Sequence, residues 1–324
     1  MSHETKSNTK RWGWMLWACV SGLRAWAGDS PAELAIELVP KLTLRAMAGS
    51  TVGVEFAPGV DGPWDMWTNV VVGTNGAVLV DLSPGAAARF YRVGSAGPPG
   101  FAWIPAGVFV MGSPATEPDR WPDETQHAVT LSRGYWMCDH EVTQAEYLAV
   151  TGSNPSFFKG DPGRPVEWVT WGEAAEYCRR LTERERAAGR ITSRQEYRLP
   201  TEAEWEHAAR AGTSGPRHGE LDEVGWWLGN AGGLPQRGQG KAPNAWGLHD
   251  MLGNVREWCA DWAGSYPVGD ATDPTGPSSG TDRIARGGSW GQDASSCRSA
   301  FRDKVSPGTR TGNLGFRVAF SPVR

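Results

Sequence analysis

The residue types that do chemistry are thinly spread in this chain of 324 residues, and their spacing excludes more than it offers. Cysteines stand at Cys19, Cys138, Cys178, Cys259 and Cys297, none in a C-x-x-C pair, so a zinc cluster built on cysteine pairs is not expected. His127, His140, His207, His218 and His249 show no i, i+4 pairing and no metal-ligand spacing, and they read as unrelated residues. His249 beside Asp250 is not a site without geometry. Gly287-Gly-Ser-Trp-Gly291 has the letters of a nucleophile elbow. That motif needs a strand, a sharp turn and a helix, and Asp293-Ala-Ser-Ser296 carries no helical apolar stripe, so a hydrolase is rejected.

The densest text lies in Asn244-Ala-Trp-Gly-Leu-His-Asp-Met-Leu-Gly-Asn-Val-Arg-Glu-Trp258, Arg286-Gly-Gly-Ser-Trp290 and Asn313-Leu-Gly-Phe-Arg-Val318. Gly, Trp and Asn alternate there without helical or strand period. Irregular backbone of this kind must be held by specific side-chain contacts, and it often carries a site. Three helices are expected to frame it. Each opens on a capping box: Thr143-x-x-Glu146, Thr170-x-x-Glu173 and Thr201-x-x-Glu204. Gly189 and Gly212 stop the second and third. Strands are expected from Phe101 to Met111 and around Val255–Trp258, Ile284–Ser289 and Gly315–Phe320. Most of the nine tryptophans from Trp168 to Trp290 read as core, because a loop-rich fold needs large side chains to bury.

Composition sets the outer bounds. The chain is 40% apolar and 21% charged, with 42 Gly, 23 Pro and 18 Trp, which describes a loop-rich globular protein. A net charge of −4 without a basic run excludes nucleic acid as the expected partner. Residues 1–27 read as an export signal: Lys6, Lys10 and Arg11, then the apolar Trp12–Leu23, then Ala25-Trp-Ala27 as cleavage site. The apolar run is too short to span a bilayer. Leu16-Trp-Ala-Cys19 loosely follows a lipoprotein signal, a minor variant of the same reading. Cleavage leaves four cysteines, an even number that permits two disulfides or four buried thiols. Residues 28–94 are expected to form a small all-β module, with a hairpin at Thr74-Asn-Gly76. Ser95-Ala-Gly-Pro-Pro-Gly100 is the linker, and 101–324 the second domain.

That second domain resembles the formylglycine-generating enzyme (sulfatase-modifying factor) family. The motifs that carry the likeness stand in family order: Trp103-Ile-Pro-Ala-Gly-Val-Phe-Val-Met-Gly112, Glu141-Val-Thr-Gln144, Pro165-Val-Glu-Trp-Val169, Tyr197-Arg-Leu-Pro-Thr-Glu-Ala-Glu-Trp205, Gly253-Asn-Val-Arg-Glu-Trp258, Arg286-Gly-Gly-Ser289 and Asn313-Leu-Gly-Phe-Arg317. The resemblance implies an α+β, loop-rich, C-type-lectin-like fold. It also implies a copper(I) centre on two cysteines after Arg-Gly-Gly-Ser, which oxidises a substrate cysteine to formylglycine. Here the first of those positions is Gln292 and the second Cys297, and an amide oxygen replaces a thiolate poorly on a soft ion. Copper-dependent oxidation is therefore not expected, and Cys297 reads first as a disulfide or buried thiol, with Cys178 a possible partner.

The family's groove residues correspond to Ser289 and Asn313, with Trp290 and Gln292 beside them. Its calcium segment corresponds to Asn254, Val255 and Glu257, with a hydrogen-bonded turn as the competing reading; Asn230 marks a second, incomplete calcium segment. The expectation is an exported, non-oxidising protein whose groove binds a peptide, a glycan or an exported partner such as a sulfatase. The alternative is an active oxidase that converts a sulfatase cysteine to formylglycine, with Cys297 catalytic. The iron site of related sulfoxide synthases is not expected, since no helical three-histidine domain precedes residue 101.

Overall fold

A computed structural model describes residues 97–322 in full and, before them, the backbone of seven strands. The chain divides into two compact units, Met1–Gly97 and Pro98–Arg324. In the first, β1 (Leu23–Trp26) pairs antiparallel with β2 (Ala35–Leu38). β3 (Lys41–Leu44) runs beside β4 (Thr51–Ala57) in sequence but pairs elsewhere. β4 is flanked by β5 (Asp65–Val71) and the later β7 (Phe90–Gly94), while β3 pairs with β6 (Ala77–Val80), all antiparallel. The hairpin turn expected at Thr74-Asn-Gly76 lies outside the described residues. Both flanking runs are strands, but β5 spends its ladder on β4 from Thr51↔Val71 to Phe56↔Asp65, and β6 spends its own on β3. The two flanking strands thus belong to different sheets. Of the expected export signal, only Leu23–Trp26 lies among the described residues.

In the second unit the expected strand Phe101–Met111 is two strands. β8 (Phe101–Ile104) and β9 (Gly107–Met111) are separated at Pro105, which has no amide to continue a ladder. β9 pairs with β10 (His127–Leu131), and β8 with β11 (Tyr135–Cys138). β12 (Gln195–Arg198) completes a four-stranded antiparallel sheet through the C-terminal β20 (Ala319–Pro322), in the order β12-β20-β11-β8. A second four-stranded sheet holds β15 (Arg256–Trp262) between β17 (Arg283–Arg286) and β19 (Leu314–Gly315), with β18 (Arg302–Val305) on the outside of β17. The expected strand Gly315–Phe320 is therefore split between two sheets. The short β13 (Gly225–Trp226) and β14 (Leu252–Gly253) pair in parallel, and β16 (Ala271–Thr272) extends β10.

The three capping boxes form as the sequence requires. Thr143, Thr170 and Thr201 each accept the amide of the Glu three residues on, opening α1 (Gln144–Thr151), α2 (Trp171–Ala187) and α3 (Glu202–Arg210). A single-turn α4 (Leu221–Val224) follows. Every residue of α3 is buried, including its three glutamates. Arginines satisfy them. Arg286 bonds Glu202 at 2.8 Å and Glu206 at 2.5 Å, and Arg302 grips Glu202 at 2.6 and 2.8 Å. Arg317 holds both oxygens of Glu257 at 2.6 Å, and Trp205 Nε1 donates to the same carboxylate at 2.7 Å. Such charge-assisted pairs tie short strands and long loops into one register. Breaking one leaves a buried charge and is strongly destabilising. Ile104, Val129, Met137, Trp205, Leu248 and Ile284 pack as the apolar core around α3.

Candidate functional site

β17 ends at Arg286, and the chain turns sharply through Gly287 (φ +95°) and Gly288 (φ +72°). A Cβ on Gly288 would stand 2.7 Å from the Ser296 carbonyl and 2.8 Å from Cys297 Sγ, so only glycine lets the 286–289 and 296–297 segments approach. The turn delivers Ser289, whose hydroxyl donates to Gln292 Oε1 at 2.9 Å and accepts from Asn313 Nδ2 at 3.2 Å. Asn313 is fixed from the other side, where its Oδ1 accepts from Arg256 at 2.8 Å and from Thr311 at 2.9 Å. The structure thus brings Ser289, Gln292 and Asn313 into one hydrogen-bonded set. Ser289 is fully buried beneath it, while Gln292, Asn313 and Trp290 are half-buried and form its outer surface.

Trp290 extends this surface. Its amide donates to the Asn254 carbonyl at 2.8 Å and its Nε1 to the Gly312 carbonyl at 2.9 Å. Phe158 packs edge-on against Trp290, Phe157 edge-on against Phe158, and Phe157 stacks on Trp168 with centroids 5.6 Å apart. Phe157 is 65% and Trp168 38% exposed, so the shelf faces solvent. Trp168 adopts φ +65°, a conformation that bulky residues rarely take. It is held there by Arg310, which donates to its carbonyl, and by Thr311, whose carbonyl accepts its amide. Beneath the shelf, Glu167 accepts the Phe158 amide at 2.7 Å through one oxygen, while its other oxygen is buried without a partner; burial raises its pKa. The sequence reading placed Trp168 in the core and did not single out Phe157 or Phe158. Two adjacent aromatics after Asn154-Pro155 were the available signal.

Cys297 lies elsewhere in character. It is fully buried among Leu221, Val224 and Leu252, with Trp227 and Ala294 against the cluster. Burial pushes its pKa up to about 12, only partly offset by Arg217 and the Ser289 backbone. All four cysteines among the described residues are free and buried, so the Cys178–Cys297 disulfide does not form and the buried-thiol reading describes them. One apolar-walled thiol and a carboxamide already engaged by Ser289 do not fit a two-thiolate copper(I) centre.

The segment matched to the family's calcium site is closely hydrogen-bonded. Asn254 Oδ1 accepts the Gln236 amide at 2.9 Å, and its Nδ2 donates to Glu141 at 2.6 Å. The Val255 amide donates to the other Glu141 oxygen at 3.0 Å. Both Glu257 oxygens are taken by Arg317 and Trp205. As placed, the side-chain oxygens of Asn254 and Glu257 all accept hydrogen bonds from within the protein. Asn230 likewise braces a turn, accepting the Trp227 amide and donating to Asp222 and the Gly225 carbonyl. Burial together with the charges of Asp250 and Glu257 raises the pKa of Glu141.

One cluster was missed altogether. Cys138, Asp139 and His140 bring their sulfur, oxygen and nitrogen within 4.8 Å of one another. Burial alone would lower the His140 pKa, but bonds to Asp139, Cys138 and Glu146 outweigh it and push it up to about 12. The signal was a C-x-H spacing at a strand end, which a search for C-x-x-C and His pairs does not find. A separate depression of about 510 Å³ beside α2 and β12 is lined by Trp171, Cys178, Arg179, Tyr197 and others, and none of the expected site residues reaches it. Among the described residues no helix is long and apolar enough to cross a membrane.

Comparison with known proteins places the domain in a family. Residues 90–322 match the model of the sulfatase-modifying factor enzyme 1-like domain. The chaperone protein LppX of Paenibacillus barcinonensis is 32% identical over 60% of this chain and 82% of its own length. The formylglycine-generating enzyme of Streptomyces coelicolor is 38% identical over 49% of this chain, which spans 54% of that enzyme. The mouse formylglycine-generating enzyme is 27% identical over 90% of this chain and 97% of its own. Among solved structures, Treponema denticola variable protein 1 superposes with a TM-score of 0.63 at 33% identity, covering 68% of this chain and 95% of that one. PvdO of Pseudomonas aeruginosa gives 0.61 at 27% identity, covering 68% and 94%. Residues 90–322 thus carry the C-type-lectin-like fold of the formylglycine-generating enzymes, and the chain belongs to the sulfatase-modifying factor family.

Proposed function

We infer that this chain is a non-oxidising member of its family that binds an extended peptide segment of an exported protein. The observation that carries the reading is the Ser289–Gln292 hydrogen bond at 2.9 Å. It occupies the position where oxidation would need a thiolate with a neutral carboxamide, while keeping the set with Asn313 intact. With their oxygens engaged, the Gln292 and Asn313 amides present N–H donors to the carbonyls of a peptide backbone. The exposed Phe157–Trp168 shelf, continuous with Trp290 through Phe158, offers flat apolar surface for its side chains. The strain at Trp168 fits a residue held out for contact. The Paenibacillus relative is by name a chaperone, which suits a polypeptide ligand. The positive, apolar, small-residue order of residues 1–27 supports export.

The test is a mass spectrum. Protein purified from Gly28 onward is incubated with copper, reductant, oxygen and a peptide carrying Cys-x-Pro-x-Arg. We expect no aldehyde, with the peptide retained on immobilised protein and lost on Trp168→Ala. Aldehyde formation that disappears in Cys297→Ala would overturn the reading in favour of an active oxidase. Retention of glycans in place of peptides would keep the surface and replace the ligand class.

A further inference from the structure

We propose that Cys138, Asp139 and His140 form a zinc site at the end of β11, with Glu146 as the carboxylate behind the histidine. It is the one group of its kind among the described residues. It uses neither Cys297 nor the Asn254 turn, and it stands whatever the shelf binds.

The geometry is close to what zinc requires. Cys138 Sγ and His140 Nδ1 are 3.8 Å apart. With Zn–S about 2.3 Å and Zn–N about 2.0 Å, a tetrahedral angle puts the two donors about 3.5 Å apart. The pair therefore has to close by only a few tenths of an ångström. Asp139 Oδ1 touches the same ring nitrogen at 2.5 Å. It must swing outward when the ion enters, and its side chain, 27% exposed, has room to do so. A sulfur, a nitrogen and an oxygen make a mixed set that suits borderline-soft zinc better than calcium or magnesium. Three protein ligands leave a fourth position for water.

The outer arrangement is also in place. A zinc-bound histidine turns its other nitrogen to a carboxylate or carbonyl, which fixes the ring and strengthens the ligand. Here His140 Nε2 faces Glu146 Oε1 at 3.3 Å. Glu146 cannot wander, because its second oxygen accepts from the Thr143 amide at 2.8 Å and the Thr143 hydroxyl at 2.7 Å. Gln239 donates to the same Asp139 oxygen at 3.0 Å, a bond that the outward swing lengthens or breaks.

The backbone beneath is pinned on every side. The Cys138 amide donates to the Val318 carbonyl at 2.8 Å, and the Cys138 carbonyl accepts from Arg317 at 3.2 Å. The Asp139 amide donates to Gly100, and its carbonyl accepts from His249. Ligands on a fixed segment lose little freedom on binding. The His140 side chain is 16% exposed, enough for an ion to enter from solvent.

The test uses the full chain, stripped with chelator, and zinc chloride or cobalt chloride alone. One equivalent of zinc should bind, and cobalt should give the near-ultraviolet thiolate-to-metal band with the visible bands of a tetrahedral site. Cys138→Ser should remove the thiolate band. His140→Gln should weaken zinc at least ~100-fold, and Glu146→Gln should weaken it about 10- to 100-fold, the usual effect of losing an outer-shell partner. Cys178→Ser should leave spectrum and affinity unchanged. Asp139→Asn, a milder change, keeps the test valid should Cys138→Ser fail to fold: it should lower affinity and shift the visible bands. No stoichiometric zinc, or a cobalt spectrum that survives both Cys138→Ser and Asp139→Asn, would overturn the site and leave a histidine held between two carboxylates.

Discussion

Cys297 and Cys138 are both free thiols, 0% and 6% exposed, yet their surroundings differ in kind. Cys297 sits on the family's most specific run and is walled by Leu221, Val224 and Leu252. Cys138 sits on no family motif quoted above and has a histidine nitrogen 3.8 Å away, flanked by carboxylates. A motif located the first thiol, but its neighbours mute it. A thiol is a ligand or nucleophile only as thiolate, so what surrounds the sulfur decides its use. Two buried thiols of one domain thus differ in what stands within reach of the sulfur: apolar side chains at Cys297, a histidine and carboxylates at Cys138.

Arg317 allows the sharpest break of this comparison, because it belongs to one side only. It holds the Cys138 carbonyl and both oxygens of Glu257. Arg317→Leu leaves Glu257 buried without its cation, a loss of about 3–5 kcal/mol for breaking a buried pair from one side. The urea midpoint should fall accordingly, and Cys138 should become reactive at lower urea than Cys297. Loss of protection at both thiols together would mean that the two regions are one.

Alkylation of the native protein separates the thiols next. With its pKa held near 12, Cys297 has a thiolate fraction at pH 8 on the order of 10³ below that of a free cysteine. Pulsed iodoacetamide followed by mass spectrometry should show Cys297 reacting about 10³ times faster once the chain is unfolded. Native reactivity within tenfold of the unfolded value would contradict the apolar wall and revive Cys297 as a working group.

Stability against pH needs its own control, supplied by Asp261. Burial and the charge of Glu202 raise its pKa to about 7, although the Glu202 amide donates to it at 2.9 Å. The folded state therefore binds a proton that the unfolded state, titrating near 4, has already released. Between those values stability falls as pH rises, and above about 7 the penalty is complete. Asp261→Asn keeps an acceptor for the Glu202 amide and removes the charge. It should raise stability at pH 8 by on the order of 2 kcal/mol and change little at pH 4. An equal effect at both pH values would place the origin in packing.

How much of this was legible follows from where each feature stores its information. Capping boxes are local: Thr143, Thr170 and Thr201 each find their partner three residues on, so α1, α2 and α3 start where the sequence put them. Strand partners are not local. The runs 101–111 and 315–320 were read as single strands because the pairing that divides them lies far away, at β11, β15 and β12. The strands flanking Thr74–Gly76 likewise take partners from other parts of the chain, β4 and β3. Ser289, Gln292 and Asn313 were legible as a set through the family motifs, and the structure joins them. The partners of the Asn254 and Glu257 oxygens were not legible, because Arg317, Trp205 and Gln236 lie 18 to 60 positions away. The shelf aromatics and the Cys138–His140 cluster carried no spacing that composition would flag.

The smallest expected effect bears most directly on the difference between the two thiols. Thr143→Ala and Thr170→Ala remove equivalent caps, each costing about 1 kcal/mol. Thr143 also holds Glu146 against His140, whereas Thr170 holds Glu173, whose other oxygen pairs with Arg310. The two variants should lose nearly the same urea midpoint. Only Thr143→Ala should also weaken zinc, by less than Glu146→Gln does, since the carboxylate remains but is no longer fixed. Equal zinc affinity in both variants would mean that the Glu146 carboxylate does not position His140.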